Sequence, residues 1–323
     1  MSKQTAEELV SLISGAAVEA CWSQWASLGA PIASHHSNEL KSLIDPEALL
    51  LLSLSVQHHE YRLRELTGWF AATGSRLLSV QRVNRFLKHY PPHTRDKIAE
   101  FAGLAIRAGD NRWKKYLGEW IADGAVSEWT LPGIQLTSQA ATVLLLRAAF
   151  GVGLKTDLLA FLFTQQGRGS SVKGIAMATG YSGPAIRSAT DDLVISGLVR
   201  ESPERPVEYY LDAGAWREML SMDGATPASS KNQGYIHLPI WCYWMQLYSF
   251  LSSVEDWASS SETQTLSPYL LSSQARDLFQ DHEKVFNVNQ IPVSEPAHFE
   301  GTDYLGAFKH SLEVVAQWIQ DHL

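Results

Sequence analysis

Two pairs of adjacent histidines, His35–His36 and His58–His59, stand out in the sequence, the second followed directly by Glu60. Imidazole and carboxylate are ligands for divalent transition cations. The spacing argues against that use. Neighbouring side chains on a helix project about 100° apart, so one ion rarely meets both rings. No HExxH or comparable pattern accompanies either pair. No metal site and no cofactor is therefore expected. "GVGLKT" and "GRGSSVKG" hold glycine and lysine but do not match a phosphate loop, and neither sits between a strand and a helix. No GxSxG nucleophile elbow occurs. Asp191 and Asp192 are chain neighbours that need not share a site. An enzyme is not expected.

Cations offer a different chemistry, the neutralisation of phosphate. The net charge of −8 is uneven. Residues 213–323 hold 5 Lys/Arg against 13 Asp/Glu, whereas residues 62–115 hold 12 against 4. A nucleic-acid surface should draw on that basic stretch. In "SVQRVNRFLKHYPP", Arg82 and Arg85 lie three apart on one helical face, with Lys88 or His89 a turn further on. Val80, Val83 and Leu87 take the other face. Lys114 and Lys115 add a second patch.

The elements that must position these residues are mostly helical. Apolar residues recur at helical spacing over 6–28, 46–57, 60–72, 78–90, 94–108 and 111–122. "IDPEALL" offers Asp45 as a cap with Pro46 at the first helical position. The 11 Trp are expected to fill cores between helices. Cys21 and Cys242 sit among apolar neighbours and read as buried free thiols of a reducing compartment. The N-terminus lacks the apolar core of a signal peptide, and no apolar run reaches the ~20 residues of a membrane span, so a cytoplasmic location is expected.

In "GYSGPAIRSATDDLVISGLV", residues 180–199, Ser182 is placed as an N-cap and Gly183–Pro184 occupy the first turn. Ile186, Ala189 and Leu193 form one buried stripe, which Ile195 is expected to extend. Gly197 stops the helix, and Leu198–Val199 start a strand. Upstream, a short helix buries Ile175 and Ala176, and "ATGYS" is a short glycine-containing joint. Two strands around a proline-rich turn follow, in "LVRESPERPVEYYLD".

Over "SVKGIAMATGYSGPAIRSATDDLVISGLVRE" and "PVEYYLD" the sequence resembles the winged helix-turn-helix regulators of the MarR and ArsR type. The resemblance spans about residues 154–212 of 323. It implies that residues 183–197 enter the DNA major groove, with Gly183, Pro184, Arg187, Ser188 and Asp191 outward and Ser182 at the entry. Arg187 would take guanine O6 and N7, and Ser188 a base or a phosphate. Lys173 and the N-terminus of its helix suit a phosphate, and Arg205 sits at the wing tip. Three features depart from the pattern. Thr190 stands where a bulky apolar residue is usual. Asp191 and Asp192 flank the groove side. Glu204 shares the wing with Arg205.

The expected fold is mainly α, with a central winged helix-turn-helix domain and small β-wing flanked by helical segments. The expected domains are an N-terminal helical domain over 1–136, the winged helix over 137–213, a linker over 214–234 and a Trp-rich helical domain over 235–323. The expected function is a bacterial-type, sequence-specific transcription regulator. Its partners would be double-stranded DNA, a second copy in a homodimer, and a small-molecule or protein effector, with no membrane. Arg82, Arg85 and the other basic helices would supply phosphate contacts. The alternative is an interaction or scaffold protein whose winged helix contacts a partner without reading DNA.

Overall fold

The computed structural model describes residues 3–31, 40–117, 132–211 and 239–323. His35, His36 and the expected linker over 214–234 lie outside the described residues. The chain is mainly helical and folds into two compact units. The larger holds residues 1–40, 44–138 and 242–323; the smaller holds 41–43 and 139–241.

The larger unit is built around helix α2 (Pro46–Val56), every residue of which is buried. "PEALLLLSLSV" is apolar on all sides, so it must be covered on all sides. Helix α1 (Lys3–Ser27), helix α3 (Arg62–Thr73), helix α5 (Pro92–Arg107) and the later helix Trp244–Ser259 pack on it. This corrects the expected boundaries. The N-terminal and C-terminal segments are one folded body, because the helix Trp244–Ser259 packs on both α1 and α2. The helix Lys3–Ser27 also packs against the last helix, Tyr304–His322. Gln24 Nε2 donates to Tyr248 Oη at 2.5 Å. Inside this core the Ser53 hydroxyl accepts the Trp25 indole N–H (2.9 Å) and donates to the Leu49 carbonyl (2.7 Å).

The start of α2 follows the sequence closely. Asp45 caps it by accepting the Ala48 N–H at 3.1 Å, and Pro46 takes the first turn. Helix α4 (Val80–Phe86) then brings in the unforeseen partner. Arg82 is only 4% exposed and pairs with Asp45 (Nη2–Oδ2, 2.6 Å) and with Glu47. The Ser79 N–H donates to the other Glu47 oxygen at 2.7 Å. The expectation that Arg82 and Arg85 share an outward face is therefore corrected. Arg85 is exposed, whereas Arg82 answers two buried carboxylates and is withdrawn from any surface.

The smaller unit begins with helix α6 (Thr142–Phe150) and helix α7 (Leu154–Thr164). Strand β1 (Ser170–Ser171), helix α8 (Val172–Thr179), helix α9 (Gly183–Ile195), strand β2 (Val199–Glu201) and strand β3 (Glu208–Leu211) follow. The strands form one antiparallel sheet in the order β1-β3-β2, with Ser170 opposite Tyr209 and Val199 opposite Leu211. Strand β1 adds to the two strands expected from sequence. Lys41–Leu43 runs beside Ile240, with bonds of 2.9 Å from Leu43 N to Ile240 O and from Ile240 N to Lys41 O. Leu43 joins Val143, Leu146 and Ala160 in a core on which Phe163 and Trp241 pack. Among the described residues no helix is long and apolar enough to cross a membrane.

Among the described residues, five tryptophans are buried in cores and Trp241, Trp257 and Trp318 are half-buried. Trp25, Trp69, Trp113 and Trp244 are among the most deeply buried side chains. Cys21 and Cys242 are both free and buried. Burial pushes the Cys21 thiol up to about 12, against a lowering hydrogen bond from Ser53. Neither thiol should react with an alkylating reagent in the native chain at neutral pH, and both should react in urea; mass spectrometry of the adducts reads this directly. Replacing Arg82 by Met strands two buried carboxylates and is expected to cost about 3–5 kcal/mol in urea unfolding. Arg85→Ala, at an exposed position, should stay within about 0.5 kcal/mol.

Candidate nucleic-acid interface

Helix α9 and its neighbours hold most of the residues singled out in the sequence. The apolar stripe is as expected: Ile186, Ala189 and Leu193 are buried against the rest of the smaller unit. Thr190 is buried as well. Its hydroxyl lies 3.0 Å from the Ile186 carbonyl and 2.8 Å from that of Arg187, so the helix itself satisfies it. Gly197 has φ +74°, the left-handed conformation that glycine adopts without strain. Ile195 is a correction. It is 85% exposed and extends no buried stripe, because the helix ends there and the chain turns away at Gly197.

The opposite face of α9 is open. Ser182, Pro184, Arg187, Ser188, Asp191 and Asp192 are exposed and Gly183 is half-buried. Ser182 is the N-cap in an extended conformation, but its side chain makes no capping bond, which leaves the hydroxyl outward. Asp192 is 2.7 Å from Lys155 on α7. Both side chains are about half exposed, so the pair adds little stability. Its effect is on charge: one of the two carboxylates beside Arg187 has a cationic neighbour. Lys155 carries no sequence motif, and the pairing depends on how α7 crosses α9.

Lys173 is exposed in the first turn of α8, whose N-cap Ser171 accepts the Gly174 N–H at 3.2 Å. Arg205 is exposed in the turn between β2 and β3. That turn is closed by Ser202 N–H to the Glu208 carbonyl (2.8 Å) and Glu208 N–H to the Ser202 hydroxyl (2.9 Å). Arg168, exposed just before β1, is a further cation of this unit that sequence reasoning did not select.

A buried ion pair sets the position of the joint between α8 and α9. Arg147 on α6 grips Asp157 on α7 with two bonds, Nε–Oδ1 at 2.8 Å and Nη2–Oδ2 at 3.0 Å. Both side chains are essentially inaccessible. The Tyr181 hydroxyl, from the joint itself, donates to Asp157 Oδ2 at 3.0 Å. Gly180, before it, turns with φ +77°. One carboxylate thus fixes α6, α7 and the entry to α9. Neither Arg147 nor Asp157 stood out in the sequence, since neither belongs to a motif and they are ten residues apart on different helices.

The basic stretch 62–115 belongs to the larger unit. Part of its charge is already matched there. Besides Arg82, Arg64 pairs with Glu100 (2.6 Å) and Arg112 with Asp110 (2.7 Å). Arg112 also donates to the Ser75 carbonyl at 3.0 Å. Lys88, Lys114 and Lys115 are exposed.

Asp157→Ala would leave Arg147 charged and buried without its partner, and is expected to cost about 3–5 kcal/mol in thermal or urea unfolding. Tyr181→Phe removes one hydrogen bond and should cost about 0.5–1.5 kcal/mol. No protein-family model, curated protein or solved structure matches this chain.

Proposed function

We propose that the smaller unit is a winged helix-turn-helix that binds double-stranded DNA, and that the protein acts as a sequence-specific transcription regulator. The observation that carries this reading is the exposed face of α9. Arg187 and Ser188 point outward from its first turns, on a helix whose other side is buried and whose entry is pinned. A helix presented in this way can put a bidentate donor on guanine. Lys173, Arg168 and the wing residue Arg205 would contact phosphates within the same unit. The pairing of Asp192 with Lys155 reduces the repulsion a phosphate would meet. In this reading two copies bind together, since the reading helices of a dimer meet half-sites about one DNA turn apart.

The exposed Ile195 favours a second reading. A large apolar side chain at the end of α9 suits contact with a protein rather than with DNA. On that reading the unit serves as an interaction module.

Capture of genomic fragments by the purified full-length protein separates the two. One reproducibly enriched motif is expected, with Arg187→Ala weakening binding to it by about 1–3 kcal/mol and relaxing preference at one position. Lys173→Ala should weaken all sequences alike and lower the salt slope by about 1. No enrichment at low salt sinks the DNA reading and leaves the protein-contact one.

A further inference from the structure

The histidine pair His58–His59, which spacing alone argues against as a metal site, is brought together in the larger unit. The argument from spacing assumes a helix, but α2 ends at Val56, and both residues lie in the turn beyond it. There they are free to converge. His58 Nε2 is 3.2 Å and His59 Nε2 3.1 Å from the same oxygen, Oε1 of Glu255 on helix Trp244–Ser259. The rings lie 4.0 Å apart between centroids. All three ligand atoms fall within 4.8 Å of one another.

The hydrogen bonds around the cluster suit a bound cation. His58 Nδ1 is 3.0 Å from the Ser55 carbonyl oxygen, which has no proton to give. Nδ1 therefore carries the proton of the neutral ring, and Nε2 presents a lone pair toward a carboxylate oxygen that also presents one. An ion between them resolves that opposition. Histidine ligands in metal sites commonly donate their second nitrogen to a backbone carbonyl, as His58 does here. Glu255 is almost wholly buried, and its second oxygen, Oε2, has no hydrogen-bond partner. Oε1 is steadied by the Ser259 hydroxyl at 3.0 Å. Lys97 also feels the Glu255 charge and weighs against an ion, so the two imidazoles are needed beside the carboxylate.

We infer that His58, His59 and Glu255 form a binding site for a divalent transition cation of the zinc type, in the unit that does not carry the DNA-reading candidate. A tetrahedral zinc ion about 2.1 Å from each ligand holds ligand atoms about 3.4 Å apart. The two imidazole–carboxylate distances are already close to that, and the two imidazole nitrogens, within 4.8 Å, can reach it by turning their rings. Both histidines are partly exposed, which leaves the fourth position to water. Magnesium, which prefers an all-oxygen octahedron, should bind poorly.

The test is calorimetric titration of the chelator-treated full-length protein with zinc chloride, and separately with magnesium chloride. One tight zinc site per chain is expected and no comparable magnesium site. His58→Ala and His59→Ala, both at partly exposed positions, should each weaken zinc binding more than tenfold with the circular dichroism unchanged. Cobalt loading of the wild type should give the visible absorption of a tetrahedral site, lost in the double variant. Absence of tight zinc binding in the wild type overturns the inference. So does binding that survives in the double variant, which would place the ion on other residues.

Discussion

Taking a guanidinium out of water costs several kcal/mol unless a carboxylate meets it with good geometry. The smaller unit is organised around one such meeting. Arg147 and Asp157 must face each other with both oxygens engaged, and that requirement fixes how α6 lies on α7. The remaining capacity of Asp157 goes to Tyr181, so the same carboxylate reaches the joint that aims α9. The exposed face of α9 is thus set by a group two helices away. The larger unit repeats the logic with the signs exchanged: two carboxylates at the head of α2 are met by a single arginine from α4. In both cases the buried charge narrows the arrangement more than apolar packing alone would.

Local features were legible in the sequence wherever the chemistry is local. The Asp45–Pro46 start, the stripe of Ile186, Ala189 and Leu193, and the glycine stop at 197 all depend on residues within a turn or two of one another. The buried free thiols and the core tryptophans follow from residue type. Partnership across distance was not legible. The spacing of Arg82 and Arg85 gives their relative directions on a helix but not which direction is inward. Asp45 and Glu47 decide that, 35 or more residues earlier. The union of the N-terminal and C-terminal segments was hidden for the same reason. Strand β1 has two residues, too few to show an alternating pattern, and exists because Tyr209 and Glu208 pair with it. Of the expected outward positions of α9, Pro184, Arg187, Ser188 and Asp191 are exposed and Gly183 is half-buried. The roles of Lys155, Asp157 and Tyr181 are defined by other helices and leave no local signal.

The distribution of charge also changes meaning once the fold is known. The basic excess over residues 62–115 looks like a surface property in the sequence. In the structure Arg82 is enclosed, while Arg64 and Arg112 stay exposed beside acidic partners and the exposed Arg62 stacks over Trp22 at 5.0 Å. The other lysines and arginines of the stretch stay exposed, apart from the half-buried Lys97. Acidic neighbours, more than burial, temper the field that a polyanion would meet there.

The burial of α2 carries a consequence for how the protein is made. The helix Pro46–Val56 leaves the ribosome early, yet one of the helices that cover it, Trp244–Ser259, is synthesised about 190 residues later. At ~5–20 residues per second, that interval is roughly ten to forty seconds. Throughout it one side of α2 waits for its cover, while the smaller unit is translated between the two halves of the larger one. The larger unit therefore cannot be completed until the whole of the smaller one has been translated.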